Sequence, residues 1–138
     1  MPPSNTKTRF RYRLDPDSGV PAYRQIIDQV LSGIASGALG PGDQLPTVRQ
    51  LAVDLTLNPN TVVRAYRELE IRGVLETQQG TGTFISQAKP KLDEMERERQ
   101  LNQLAADAAA RTGNAGFTVG ELIARLKELQ ADRKEKSK

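Results

Sequence analysis

The chain has 138 residues, and its 20 Lys and Arg against 17 Asp and Glu give a formal net charge of +3. It contains neither cysteine nor histidine. This excludes disulfide bonds and thiolate metal sites, and it removes the commonest general base and transition-metal ligand.

The positive charge is spread evenly along the chain. Residues 1–86 hold nine Lys and Arg against eight Asp and Glu, and residues 87–138 hold eleven against nine. A surface for a polyanion would therefore depend on where the positive side chains lie and not on the total charge. No apolar run approaches the roughly 18 residues that a membrane span needs, and the N-terminus lacks the apolar core of a signal peptide, so we expect a cytoplasmic protein without a membrane partner.

The N-terminal region predicts a disordered arm, residues 1–9, followed by a short strand. In "RFRYRL" arginines alternate with apolar residues, which is the period of a half-buried strand with charge on its exposed face. The arginines could equally serve only to keep an edge strand soluble. After "DPDSG", Pro21 is expected to begin a helix that Gly37 ends, with apolar residues at helical spacing between them. The glycines and prolines of "GALGPGDQLP" predict a loop without regular structure.

Two further helices follow, separated by a short turn. Thr47 and Gln50 have the spacing of a capping box, and Arg49 would point outward in the first turn, where free backbone N–H groups favour an anion. Asn58 is a strong N-cap residue and proline is favoured at the next position, so Pro59 is predicted to begin the third helix and not to break it. The resulting helix phase buries one apolar stripe and leaves on or near the outer face Asn60, Thr61, Val63, Arg64 and Arg67.

The stretch "VLETQQGTGTFIS" predicts two short strands joined by a turn at Gln79–Gly82. Two short helices, a tight turn and then a hairpin are the order of a winged helix-turn-helix, whose second helix enters the DNA major groove. The predicted fold class is α+β, mostly α: a winged helix-turn-helix over residues 10–87, then a short two-helix region over residues 88–138.

Residues 45–85 also resemble the DNA-binding domain of the GntR family of bacterial transcription regulators. The shared pattern includes "LPTVRQLA", a Thr-Val recognition helix, Gly-x-Leu and a "GTGTF" wing. The resemblance covers about residues 20–86, and "NPNTVVRAY" with a short tail is most similar to the YtrA subfamily. It implies DNA contacts by Arg49 and by the N-terminus of the third helix, and minor-groove contacts around Gly80.

The chemistry of these side chains suits base reading. A guanidinium can hold guanine O6 and N7, an asparagine can hold adenine, and Val63 could rest on a thymine methyl, while Thr61 would bond phosphate. The wing has no Lys or Arg between Gly73 and Gln87, so a smaller and less salt-dependent contribution is expected from it. The full predicted DNA-binding set is Thr47, Arg49, Asn58, Asn60, Thr61, Val63, Arg64, Arg67, Gln79, Gly80, Thr81 and Gly82.

The tail reads as two helices broken at Gly113–Gly116, the second starting with a capping box of Thr118 and Glu121. Two helices with narrow apolar faces cannot form a stable domain alone. We expect the same hairpin of a second subunit to cover them, in agreement with the YtrA resemblance; packing on the chain's own winged helix is the alternative. The predicted dimer interface comprises Leu101, Leu104, Ala108, Leu122, Ile123, Leu126 and Leu129.

Together these features predict a homodimeric, sequence-specific regulator, most consistent with a repressor, that binds a pseudo-palindromic double-stranded DNA operator. The resemblance adds a transporter operon as a target and leaves a small-molecule effector open. No cofactor is expected, although a carboxylate site for Mg²⁺ or Mn²⁺ is not excluded. The rival functions are a module that binds protein or packs DNA without sequence preference, and an enzyme, which the absence of any convergent catalytic pattern disfavours.

Overall fold

The computed structural model describes residues 10–87 and 93–136, with side chains through Gln130. The chain divides into two compact units, one within residues 1–88 and the other within residues 89–138. The predicted arm, residues 1–9, lies outside the described residues. In the described residues, no helix is long and apolar enough to cross a membrane.

The first unit contains three helices and a three-stranded antiparallel sheet with strand order β1-β3-β2. In the sheet, Leu75 pairs with Ile85 and Gln78 pairs with Gly82. The elements are, in chain order, α1 (Ala22–Ser36), β1 (Gln44–Leu45), α2 (Val48–Leu55), α3 (Pro59–Ile71), β2 (Leu75–Gln78) and β3 (Gly82–Ile85). This arrangement confirms the predicted fold class.

A single hydrophobic core holds the first unit together. Helix α1 packs on α3, and the side chains that they bury between them are less than 2% exposed: Ile26, Ile27, Val30, Val62, Ala65 and Leu69. Leu51 of α2 and the paired Leu75 and Ile85 of the sheet extend this core. Burial of each such aliphatic side chain contributes about 1.5–3 kcal/mol, so the packing fixes α3 firmly against its neighbours.

The predicted starts of α2 and α3 are confirmed, whereas α1 begins at Ala22, one residue after the predicted Pro21. Gln50 N donates to Thr47 Oγ1 at 3.1 Å and Thr47 N donates to Gln50 Oε1 at 3.2 Å, which completes the capping box of α2. Asn60 N donates to Asn58 Oδ1 at 2.8 Å, with Pro59 as the first residue of α3. Both caps use side chains within three residues of the backbone they satisfy, which is why the sequence revealed them.

The predicted N-terminal strand is wrong. Residues 10–14 pair with no strand; instead, Arg13 N donates to Gln29 Oε1 at 2.6 Å, and Gln29 Nε2 donates back to the Arg13 carbonyl. The alternation itself is real, because Tyr12 is buried while Arg11 and Arg13 are exposed. A side chain of α1 thus satisfies the backbone groups that a neighbouring strand would have taken.

The loop predicted between α1 and α2 also contains a strand. Gly42 adopts a φ of 84° and donates its N–H to the Ile85 carbonyl at 2.9 Å, which directs the chain along β3. Gln44 and Leu45 then pair with Phe84 and Thr83. The sheet has three strands because this two-residue strand adds to the predicted hairpin. Gly82 belongs to β3, so the wing loop is shorter than predicted, Gln79–Thr81.

The second unit consists of α4 (Glu94–Asn114) and α5 (Val119–Lys136), which contact each other. The capping box of α5 is present: Thr118 N donates to Glu121 Oε1 at 2.8 Å, and Glu121 N donates to Thr118 Oγ1 at 3.1 Å. Helix α4 continues through Gly113, so the break comes later than predicted, at Ala115–Thr118, where Gly116 has a φ of 91°.

Candidate nucleic-acid interface

A three-residue turn, Thr56–Asn58, sets the geometry between α2 and α3. Thr56 ends α2 in the left-handed region with a φ of 56°, and Leu57 N donates to the Ala52 carbonyl at 2.8 Å. Leu57 is half-buried against the core. The turn therefore brings Asn58 to the start of α3 with little freedom, because its backbone is bonded and its apolar side chain is packed.

The outer face of α3 follows the predicted helix phase. Asn60, Arg64 and Arg67 are exposed, and Thr61 and Val63 are half-buried. Val62, Ala65, Tyr66 and Leu69 face the core. The helix thus presents an amide and two guanidinium groups outward from a rigid support.

Arg64 makes a contact that sequence reasoning did not identify. Its Cζ lies 3.7 Å from the centroid of the Tyr23 ring, a cation–π contact between α3 and α1. Tyr23 is half-buried and packs against the core. The sequence signal for Tyr23 was its place in the apolar stripe of α1, which predicts burial but carries no information about a partner on α3.

A pair of tyrosines joins α3 to the segment before α2. Tyr66 Oη donates to the Pro46 carbonyl at 2.8 Å, and the Tyr12 hydroxyl lies 3.5 Å from that of Tyr66. Burial raises the pKa of Tyr12 to about 12 and also raises the pKa of Tyr66. Both hydroxyl groups are therefore neutral at ordinary pH. Their contacts link the N-terminal segment to α3, and α3 to Pro46, the residue before the Thr47 cap.

Two predicted surface residues have their side chains committed to caps. Thr47 Oγ1 accepts from Gln50 N, and its hydroxyl donates to Gln50 Oε1 at 3.4 Å, while Asn58 Oδ1 accepts from Asn60 N. Of the two side chains, Asn58 therefore keeps its amide nitrogen for a ligand. Arg49 is exposed in the first turn of α2. Within residues 10–87 and 93–130, neither Arg49 nor Arg67 forms an ion pair, whereas Arg72 is paired with Glu68 at 3.3 Å.

The wing has an anchored base and an open tip. At its base, Thr77 Oγ1 donates to the Glu70 carboxylate of α3, and Gln44 Nε2 donates to the Thr81 carbonyl at 3.2 Å. At its tip, Gln79, Gly80 and Thr81 are exposed, and Gly80 has a φ of 78°. Apart from Gly80 and its two chain neighbours, no described residue has an atom within 4 Å of the position that a Cβ of Gly80 would take, so the tip leaves room for another molecule to approach the backbone closely.

The predicted interface residues therefore lie on three adjoining elements. Helix α2 carries Thr47 at its cap and Arg49, α3 carries the central set, and β2 joins the wing to α3. Among the side chains of residues 10–87 and 93–130, no three from His, Cys, Asp or Glu are grouped to hold a metal ion. The predicted tail residues are distributed on α4 and α5, and most are exposed; Ala108 and Leu122 are half-buried.

A helix-turn-helix whose second helix is exposed along one face and flanked by a short sheet with a glycine loop defines a winged helix-turn-helix domain. The sequence pattern described as "Bacterial regulatory proteins, gntR family" matches residues 22–85. Over 124 residues the chain is 44% identical to the HTH-type transcriptional repressor YtrA of Bacillus subtilis, a match that covers 87% of this chain and 92% of that protein.

The chain therefore belongs to the GntR family and is a DNA-binding transcriptional regulator. Membership of this family confirms the resemblance identified from the sequence, and it confirms a regulator in place of an enzyme.

Solved structures agree with this assignment. The GntR-family transcription factor YtrA from Sulfolobus acidocaldarius is 35% identical, with a TM-score of 0.52, over 68% of this chain and 97% of that one. A protein described as a transcriptional antiterminator from Listeria monocytogenes is 27% identical, with a TM-score of 0.63, over 89% of this chain and 92% of its own. The second likeness extends beyond the winged helix into the tail.

Proposed function

We propose that this regulator is a sequence-specific repressor that binds a pseudo-palindromic operator as a homodimer. The observation that carries the proposal is the outer face of α3, where Asn60, Arg64 and Arg67 are exposed on a helix whose opposite face is buried in the core. Such a face matches the width of the major groove and the hydrogen-bonding groups of base edges.

The side chains of α3 divide into base-reading and backbone-binding groups. Arg64 offers a planar fork that suits guanine O6 and N7, and Asn60 offers the amide that suits adenine. Val63 is half-buried, which leaves a small apolar surface for a thymine methyl. Thr61, also half-buried, and Arg67 would bond phosphates and set the register of the helix.

Flanking elements would hold the DNA on either side of α3. Arg49 and Thr47 stand at the N-terminal end of α2, where unpaired N–H groups favour a phosphate. The wing tip, Gln79–Thr81, together with Gly82 at the start of β3, offers amide and backbone donors to the minor groove and no positive charge. Its contribution is therefore positional more than electrostatic.

The tail supports a dimer through its exposed apolar side chains. In the single chain, Leu101 and Leu104 are 55% and 66% exposed, and Ile123, Leu126 and Leu129 are each about half exposed at 47%, 51% and 48%. Helix α4 buries no residue. A second copy of the same hairpin, with the half-buried Ala108 and Leu122 beside these leucines, would remove this apolar surface from water.

Repression is proposed because the Bacillus subtilis relative, which matches this chain over most of the length of both proteins, is named a repressor. The family resemblance favours a nearby operon for a membrane transporter as the target, and a cytoplasmic site of action follows from binding the chromosome. An effector would have to bind at the dimer interface, because a tail of about 50 residues leaves little room for an enclosed pocket of roughly 300 Å³ or more.

A footprint on the promoter of the chain's own gene, followed by titration of that duplex and a scrambled one, tests the proposal. We expect the footprinted duplex to bind about 10³-fold or more tightly than the scrambled one at physiological salt. Affinities that agree within about tenfold would instead support DNA packing without sequence preference. Absence of binding to either duplex would favour a protein partner for the winged helix.

A further inference from the structure

The contact between Arg64 and Tyr23 links α3, the helix proposed to enter the major groove, to α1. We propose that Tyr23 is a positioning residue whose ring orients the Arg64 guanidinium for hydrogen bonding to a base. Tyr23 would thereby contribute to sequence preference without contacting the base itself. This inference rests on the proposed function, because it requires the outer face of α3 to meet DNA.

The Tyr23 ring is the fixed member of the pair. It lies in the first turn of α1, half-buried against the core, and the next turn carries Ile26 and Ile27, which are 0% and 1% exposed. Arg64 is exposed, and its ring contact is the one interaction that it makes among the described residues. A flexible cation on a packed ring is oriented by the ring, and not the reverse.

The contact leaves the groups that recognise DNA available. With its Cζ 3.7 Å from the ring centroid, the guanidinium lies over the face of the ring. Its five N–H donors lie in its own plane, so contact through the face does not consume them. The same arginine can therefore remain on Tyr23 and donate two parallel hydrogen bonds to a guanine edge.

Prior ordering of Arg64 affects binding through entropy. A free arginine loses much of its rotamer freedom when it is fixed on a base, and that loss weakens the complex. A ring that already restricts the side chain removes part of this loss from the binding step. The effect should be larger on the operator than on random DNA, because only the operator fixes Arg64 in one geometry.

The test is a double-mutant cycle in the full chain, with Tyr23→Leu, Arg64→Ala and the double variant titrated against operator and scrambled duplexes. We expect Tyr23→Leu to weaken operator binding about two- to fivefold per protomer, which is about four- to twenty-fivefold for a dimer, and to change scrambled-DNA binding less. In the Arg64→Ala background, Tyr23→Leu should cause no further loss.

Two control variants separate the ring from other effects. Tyr23→Phe keeps the aromatic face and should bind the operator like the unsubstituted chain, which excludes a direct hydroxyl contact with phosphate. In the Arg67→Ala background the full loss from Tyr23→Leu should remain, because Arg67 is exposed on the same helix and does not contact the ring. Thermal unfolding checks that each variant is folded, and Tyr23→Met, whose longer and unbranched side chain adapts better to the space of the ring, replaces Tyr23→Leu if the latter is not.

Several outcomes would overturn the inference. Additive losses in the cycle would show that Tyr23 acts independently of Arg64, and tighter binding by Tyr23→Leu would show that the ring withholds the guanidinium from DNA. A loss with Tyr23→Phe equal to that of Tyr23→Leu would assign the effect to the hydroxyl. If the unsubstituted chain did not prefer the operator, the proposed function itself would fail; if it did and Tyr23→Leu bound equally well, only this inference would fail.

Discussion

Arg64 and Arg49 are both exposed cations, but they stand at positions that predict different effects. Arg64 lies on the outer face of α3, and Arg49 lies in the first turn of α2. Arg64→Ala should cost about 1–3 kcal/mol on the operator and relax preference at one base position in each half-site. Arg49→Ala should weaken all sequences similarly and reduce the slope of log K against log salt by about one.

Titrations of both variants at several salt concentrations distinguish the two roles. Unchanged operator affinity for Arg64→Ala would show that the outer face of α3 has been assigned incorrectly. An Arg49 variant that changed base preference, and not the salt slope, would move Arg49 from the backbone-binding to the base-reading group.

The buried tyrosines give the first unit a specific dependence on alkaline pH. Burial raises the pKa of Tyr12 to about 12 and raises that of Tyr66, while both ionise near 10 in the unfolded chain. Above pH 10 the unfolded state therefore binds fewer protons than the folded state, so the free energy of unfolding falls as pH rises toward 12.

Urea unfolding at pH 9 and at pH 11 measures this loss, which approaches about 1.4 kcal/mol per pH unit for each tyrosine once the unfolded form is ionised. Tyr12→Phe should reduce the difference between the two pH values, whereas Tyr23→Phe is the matched control at a half-buried ring outside the pair. Equal pH dependence in all three proteins would contradict the assignment to Tyr12.

Substitutions at the tip of the wing report how close the wing lies to the DNA phosphates. It has no Lys or Arg, and the Gln79 side chain is exposed beside Gly80 at its tip. Gln79→Lys should strengthen binding to operator and scrambled DNA alike and increase the salt slope by about 0.9 for one added phosphate contact. Gln79→Glu should weaken both.

Salt-dependent titration of these two variants decides where the wing lies. If neither substitution changed affinity or slope, the tip would lie farther from the phosphates than a lysine reaches. The Thr77–Glu70 contact and the packing of β2 against α3 hold the base of the wing in place, so we expect no large rearrangement of the wing.

The elements that the sequence predicted best are those specified by neighbouring residues. The caps of α2, α3 and α5 each use a side chain within three positions of the backbone that it satisfies, so Thr47, Asn58 and Thr118 could be recognised without any knowledge of the fold. The phase of α3 followed from its cap, and the exposed and buried faces followed from the phase.

The elements that the sequence missed depend on contacts between distant segments. Strand β1 exists because Gln44 pairs with Phe84, and the N-terminal segment is not a strand because Gln29 takes its backbone bonds. The same holds at the site, where Arg64 and Tyr23 are 41 positions apart in the sequence yet in contact. Local periodicity predicts burial, but it does not identify the partner.

The location of the hydrophobic core predicts that the tail contributes to dimerisation and not to the folding of the winged helix. Among the residues that the structure describes, the buried hydrophobic core extends from Tyr12 to Ile85. A chain ending at Ser86 should therefore remain folded, and light scattering should show a monomer that binds the operator weakly. Leu126→Glu in the full chain should give the same monomer, because it places a charge among the exposed leucines of α5. A dimeric truncated chain would contradict the proposed role of the tail.

The proposed function requires two α3 helices to bind the two half-sites of one operator at a fixed separation. In a two-fold dimer the half-sites lie about one helical turn, or a multiple of it, apart, so an insertion of about five base pairs between them places the second half-site on the opposite side of the duplex. Titration of the chain against the operator with insertions of about five and about ten base pairs measures this geometry. We expect a complex of two protomers on the native duplex, a large loss of affinity with the half-turn insertion, and loss of the stable complex on a single half-site. Equal affinity for the native and half-turn duplexes would contradict binding by a two-fold dimer.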